Sequence, residues 1–227
     1  MYKNKYRKAL TFSFDDGTIF DKRLIELFNK YGMKCTFNLN SGKMTHADNW
    51  VNKNVIISHL NRTEIKNLYD GHEIASHSLT HPFFDHLDYE TQLNEIKTDI
   101  ENLEYYFNTK IKGFALPYGC YNEDTLKAIK ECNLFYNRLA GTTMSFDKPK
   151  DLLKFSGTCH FHNPKIMELA KQFIELNPDE EKIFYIWGHS YELEVDNLWN
   201  EFEELLKYLA NRDDIYYCTN SEAFHIE

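Results

Sequence analysis

The stretch ALTFSFDDGTIFDKRLIELFNKYGMKCTFNL, residues 9–39, decides the fold. Residues 9–14 read as a strand ending on Asp15-Asp16-Gly17. Residues 22–31 then carry Leu24, Ile25, Leu27 and Phe28 at helical spacing, stopped by Gly32, and residues 35–39 read as a second strand. A strand–helix–strand unit of this length implies two parallel strands joined by a right-handed crossover. The alternation continues outward. A short helix is expected over 62–69, with Asn61 as N-cap and Gly71 as stop, and a third strand over 72–76. The longest helix, 89–107, carries Leu93, Ile96, Ile100, Leu103 and Phe107 on one stripe. Further strands are expected over 112–116, 135–139, 183–187 and 215–218, with helices over 123–132, 165–176 and 198–210. Residues 40–60 read as a long loop, and 141–162 as irregular with a strand near 152–156. Seven or eight such units predict an α/β fold, a distorted (β/α)-barrel of about seven strands, formed by a single domain over residues 1–227.

Composition narrows the function. With 35 acidic against 26 basic side chains the net charge is −9, and no Lys/Arg run forms a stripe, so nucleic acid is not an expected partner. No segment approaches the ~20 apolar residues of a membrane span. The first residues lack the apolar stretch and small-residue cleavage site of a secretory signal. The chain as written therefore reads as cytoplasmic, or as secreted if a leader has been trimmed. Five cysteines without CxxC spacing read as buried free thiols.

The chemistry-bearing residues share a position. Asp15-Asp16, His77 and His81, Pro117-Tyr118, and His189 each follow the C-terminal end of an expected strand, the face on which barrel active sites are built. Each has an ordinary reading when taken alone. Asp15-Asp16 could be a turn with an N-cap, and His189 a satisfied core histidine. Ten histidines produce about 0.4 pairs at four-residue spacing by chance, so His77/His81 could be surface or capping residues. Together they supply two carboxylates and three imidazoles to one rim. On a helical turn, the four-residue spacing would let both imidazoles share a metal.

In this order, Phe14-Asp15-Asp16-Gly17, the HSLTH segment 77–81, the Pro-Tyr-Gly turn 117–119 and a late strand-end His189 resemble the polysaccharide deacetylases. These are the NodB-homology enzymes, carbohydrate esterase family four, and the resemblance spans residues 11–189. It implies hydrolysis of N- or O-linked acetyl groups from an acetylated sugar or glycan. It also implies one divalent ion held by Asp16, His77 and His81; zinc is the default, and cobalt, nickel or iron also suit the donors. Asp15 matches the general base, His189 the general acid, and Tyr118 the residue whose backbone N–H helps bind the oxyanion.

Three departures stand out. Ala115 occupies the place of the family's third-motif Arg, and Arg138 on the next expected strand is the candidate substitute. Trp187 stands where the family favours Leu, as a wall for the acetyl methyl. The family's Asp-x-x-Asp-Trp segment is missing, leaving Asp147, Asp151 and Glu192 as candidates to orient His189. Two other readings stay open: a hydrolase of small amides or ureides on the same fold, and an inactive carbohydrate-binding homologue. A glycosidase, which needs two carboxyls flanking the glycosidic bond, fits adjacent aspartates among imidazoles poorly.

Overall fold

The computed structural model describes residues 1–3 and 5–226. In chain order the elements are β1 (Lys8–Asp15), α1 (Asp21–Lys30), β2 (Cys35–Leu39), β3 (Asn49–Asn52), β4 (Val55–Ser58), β5 (Glu73–Ser76), α2 (Tyr89–Phe107), β6 (Gly113–Ala115), α3 (Glu123–Glu131), β7 (Tyr136–Thr142), β8 (Phe155–Gly157), β9 (Cys159–His160), α4 (Ile166–Glu175), β10 (Lys182–His189), α5 (Ser190–Val195), α6 (Trp199–Leu209), β11 (Ile215–Tyr217) and α7 (Asn220–Ala223). The main sheet runs β8-β7-β6-β5-β2-β1-β10-β9, every pair parallel, with β11 beside the first residues of β1.

This is the expected α/β architecture, curled into a distorted barrel whose ladder does not close. The two edge strands, β8 and β9, are successive pieces of one broken strand. At the break, the Thr158 N–H donates to the Tyr185 carbonyl at 2.8 Å, and the Thr158 carbonyl accepts from the Met144 N–H at 2.9 Å. Counting β8 and β9 together, seven positions surround the interior, and β11 adds half an edge.

Strand parity explains which residues enter the barrel. On β1, Leu10, Phe12 and Phe14 pack outward in the main hydrophobic cluster, with Leu24, Ile25 and Phe28 of α1. The opposite parity, Ala9, Thr11, Ser13 and Asp15, lies inside and is fully buried. The interior is filled at its base by Tyr136, Phe155, Tyr185 and Phe224. Above them a polar column begins. Asn220 of α7 accepts from the Thr11 hydroxyl at 2.9 Å and donates to the Tyr185 hydroxyl at 2.7 Å. Asn38 donates to Ser13 at 2.9 Å and to Asp15 at 2.8 Å.

Two expected elements differ. Residues 62–69 form consecutive turns, Glu64 N–H to Asn61 O at 2.9 Å and Leu68 N–H to Ile65 O at 3.2 Å. Buried Ile65 and Tyr69 anchor them, so tertiary packing overrides the local helical pattern. Within 40–60 lies the antiparallel hairpin β3–β4, with Trp50 paired to Ile57 and Val51 to Ile56. Its strands of four residues are too short to show a clear period. The helices α5 and α7 were not foreseen, being only six and four residues long. All five cysteines are free; Cys35, Cys159 and Cys218 are buried as expected, whereas Cys120 and Cys132 are partly exposed.

Phe28 sits 4.9 Å from Phe12, 5.9 Å from Phe14 and 6.1 Å from Phe202 between ring centroids. Phe28→Ala removes a fully buried ring from beneath β1 and is expected to cost ~3–5 kcal/mol of stability in urea unfolding.

Candidate metal centre and active site

Parallel pairing of β1 with β10 holds over eight rungs and ends with Asp15 opposite His189. The two side chains meet inside the rim, His189 Nε2 lying 3.8 Å from Asp15 Oδ2. Asp16 leaves the strand with φ 78° and Gly17 follows at 66°, so successive carboxylates face different directions. A Cβ on Gly17 would also approach Leu39 Cδ2 to 2.8 Å.

Asp16 Oδ1 lies 3.6 Å from His77 Nε2 and 3.7 Å from His81 Nε2, and the donor atoms of all three lie within 4.8 Å of one another. The four-residue spacing does not act through a helical turn. Residues 77–81 form a loop in which Ser78 and His81 have φ of 68° and 62°. That loop is fastened from below. The Asn40 amide donates to the Ser78 carbonyl at 2.9 Å, and Glu95 accepts from the Thr80 N–H and hydroxyl, each at 2.8 Å. His77 Nδ1–H donates to the Ala115 carbonyl at 2.6 Å, which leaves the Nε2 lone pair facing Asp16. Burial, with smaller help from neighbouring cations and imidazoles, lowers both imidazoles to a pKa of about 4. Two neutral imidazoles and a carboxylate at this separation fit a divalent transition-metal ion.

Burial alone would raise the Asp15 carboxyl. The Arg138 guanidinium, with His77 and His189, outweighs it and holds the pKa at about 2. Arg138 donates to both carboxylate oxygens, at 2.6 Å to Oδ1, and is itself fully buried. Ala115 and Arg138 are rung partners on β6 and β7. The guanidinium therefore reaches Asp15 from one strand further round, at the same height as the missing third-motif Arg. The Arg138 guanidinium lies 4.7 Å from the ring centroid of Trp187.

His189 is pushed the other way. Burial would lower it, but the Glu192 hydrogen bond and the negative charges of Asp16, Glu192 and Asp15 raise it to about 9. Its Nδ1 lies 3.1 Å from Glu192 Oε2. The other two orienting candidates lie elsewhere: Asp147 pairs with Lys182 at 2.6 Å, and Asp151 with Lys154 at 3.6 Å. Tyr118, at φ 58°, stacks on Phe83 with centroids 3.8 Å apart and touches His81 edge-on at 4.6 Å.

Asp15, Asp16, His77, His81, Tyr118, Arg138, Trp187 and His189 line a pocket of 440 Å³ that also receives Lys43, Trp50, His59, Ala140 and Tyr191. Sequence reasoning named neither Asn38 nor His160, nor the wall made by Trp50 and Tyr191. Asn38 shares the inward parity of β2, a usable signal. Trp50 had none, since its hairpin was unseen.

A curled parallel barrel with a carboxylate–imidazole cluster on its C-terminal rim defines a class of α/β proteins. Within that class the chain belongs to the polysaccharide deacetylase family, whose model matches residues 2–136. No curated protein matches the sequence. Among solved structures, the Streptococcus pyogenes deacetylase PplD in complex with acetate is 22% identical over 57% of this chain and 55% of that one, with a TM-score of 0.51. The chain thus aligns with about half of that relative's length. A family 4 acetyl xylan esterase from Clostridium thermocellum in complex with a cobalt ion is 15% identical over 96% and 91%, TM-score 0.59. A family 4 pseudoenzyme from Bacillus anthracis is 18% identical over 98% and 66%, TM-score 0.58. At these identities the structures speak for the fold.

The Asp15–Arg138 pair makes a sign-definite prediction. A carboxyl depressed from 3.8 to about 2 contributes stability above the upper value and loses it as pH falls toward the lower. Arg138→Met strands a buried charge and is expected to cost ~3–5 kcal/mol at neutral pH. Denaturant unfolding should show much of that loss recovered in Arg138→Met/Asp15→Asn.

Proposed function

We propose that the chain is a single-domain, metal-dependent hydrolase that removes acetyl groups from a carbohydrate. The observation that carries this reading is the shared rung of Asp15 and His189, beside Asp16, His77 and His81. An anionic carboxylate and a protonated imidazole on adjacent strands form a base and an acid poised over one pocket.

Asp16, His77 and His81 are the residues that would hold the ion. Bound there, a divalent cation supplies Lewis acidity for the acetyl carbonyl and for the attacking water. Asp15, kept ionised by Arg138 and Asn38, takes a proton from that water. His189 gives its Nε2 proton to the departing amine or alkoxide, while Glu192 holds the opposite ring nitrogen. The backbone N–H of Tyr118 is assigned to the oxyanion. Trp187, fixed by its Nε1–H bond to the Gly141 carbonyl at 2.9 Å, is assigned to the wall of the acetyl-methyl pocket.

An inactive homologue is the second reading, motivated by Ala115 and by the pseudoenzyme among the structural neighbours. The buried Arg138–Asp15 contact weighs against it, because it supplies the guanidinium that Ala115 cannot. The substrate class remains an acetylated glycan of either linkage.

Acetate release from acetylated xylan, chitin oligosaccharides and peptidoglycan, with zinc or cobalt added after chelation, tests the proposal. Activity should vanish with chelator and return with the ion. His77→Ala should lose the ion, while Asp15→Asn should keep it and turn over ~10²–10⁴-fold more slowly. Silence toward every substrate with both ions would leave the inactive reading standing. The pH profile offers a second check. His189 acts in its protonated form, so turnover of N-acetyl substrates falls as pH rises through its pKa. A bound cation offsets the charge of Asp16 and sets that limb below about 9. Glu192→Gln should move it further down, toward the ~6.5 of a free imidazole.

A further inference from the structure

Glu192 holds two imidazoles at once. Its Oε2 lies 3.1 Å from His189 Nδ1 and 3.1 Å from His160 Nε2, and also accepts the His189 backbone N–H at 3.3 Å. His160 belongs to β9, the short strand paired with β10 at the barrel's broken seam, where it stands opposite Trp187, and it lies outside the motifs that carry the resemblance. Its tautomer follows from its other nitrogen. His160 Nδ1 accepts the His162 backbone N–H at 3.2 Å, so the ring proton sits on Nε2, aimed at Glu192. A cation shared by His160, His189 and Glu192 would need that Nε2 lone pair, and the proton occupies it.

The approach of the two strands is specifically accommodated. A Cβ on Gly188 would come within 2.2 Å of Phe161 Cδ1 and 3.2 Å of His160 Nε2. The His160 ring is further held by Trp187 at 4.6 Å, near-perpendicular, and by Phe161 at 4.8 Å. Glu192, in contrast, hangs from a six-residue helix, and its side chain has several rotamers to choose from.

We propose that His160 is a positioning residue: by donating from Nε2 to Glu192, it fixes the carboxylate that holds Nδ1–H of His189 and keeps His189 Nε2 turned to the leaving group. This rests on the role of His189 as acid. In that step the Nε2 proton passes to the leaving nitrogen as the C–N bond breaks. The imidazolium becomes neutral and retains Nδ1–H on Glu192.

The leaving group provides the test. An amine must be protonated to depart, whereas the phenolate of p-nitrophenyl acetate departs without a proton. His160→Ala should lower kcat on an N-acetylated oligosaccharide about ten- to a hundredfold, short of the ~10²–10⁴ expected for loss of the acid itself. KM should hold, and p-nitrophenyl acetate turnover should stay within about twofold, since it asks nothing of the acid. His160→Gln, which keeps a donor, should restore most of the loss. If His160→Ala does not fold, His160→Asn, whose amide is too short to reach Glu192, serves in its place. Equal losses on both substrates, or none on either, would overturn the proposal. Should the wild-type protein release no acetate at all, nitrogen-15 histidine spectra still decide. Recorded at a pH high enough to leave the His189 ring neutral, a tautomer fixed in wild type and mixed in His160→Ala supports the positioning role; unchanged His189 signals overturn it.

Discussion

Eight rungs of parallel hydrogen bonding between β1 and β10 are the constraint on which the rest of the site depends. Because side chains on a strand alternate, one register places Asp15 and His189 inside the barrel at the same height, and a slip of one residue in either strand would send that strand's side chain outward and part the pair. Everything else at the rim adjusts to that rung. Asp16 turns away on a left-handed backbone to face the histidines, and Arg138 arrives from across the interior to neutralise Asp15.

The buried ion pair shows how a lost motif residue can be replaced without moving the site. Ala115 and Arg138 occupy one rung of neighbouring strands, so a guanidinium moved one strand over still ends in the same interior volume. Two fully buried charges are costly to desolvate; the contact of one Arg138 amino group with both Asp15 oxygens, the Asn38 amide and the Trp187 face offset part of that cost, while Arg138 Nε is left without a partner. The proposed acid is held in a comparable way. Glu192, three residues after His189, meets the imidazole where the family uses a separate segment, and His160 of β9 meets the same carboxylate oxygen.

Much of this was legible beforehand because it follows from period and position. Apolar alternation and helical spacing located most strands and the long helices, and the strand-end rule brought Asp15, Asp16, His77, His81 and His189 to one rim. What escaped lay below the length at which a period can be seen, such as the four-residue strands around Trp50 and the two-residue β9 that carries His160. The helix expected over 62–69 failed for a different reason: Ile65 and Tyr69 bury against the barrel in a geometry that only turns reach. The four-residue spacing of His77 and His81 singled out two side chains that the fold does bring together, though on a loop and not on the helical turn expected.

The partners of β1 have a kinetic consequence. Lys8 pairs with Lys182 on one edge and with Ile215 on the other, both from the opposite end of the sequence, and Asn220 enters the interior column beneath Asp15. The central strand therefore makes nearly its longest-range contacts first in space and last in synthesis. A topology of such high contact order pays loop-closure entropy before the contacts return it, which slows folding. The donor cluster is assembled only when the strand bearing Asp16 is locked by segments made nearly two hundred residues later, on the order of ten seconds or more at ordinary elongation rates. A nascent chain emerging with its aspartates and histidines already exposed thus carries the proposed metal ligands long before it has the site.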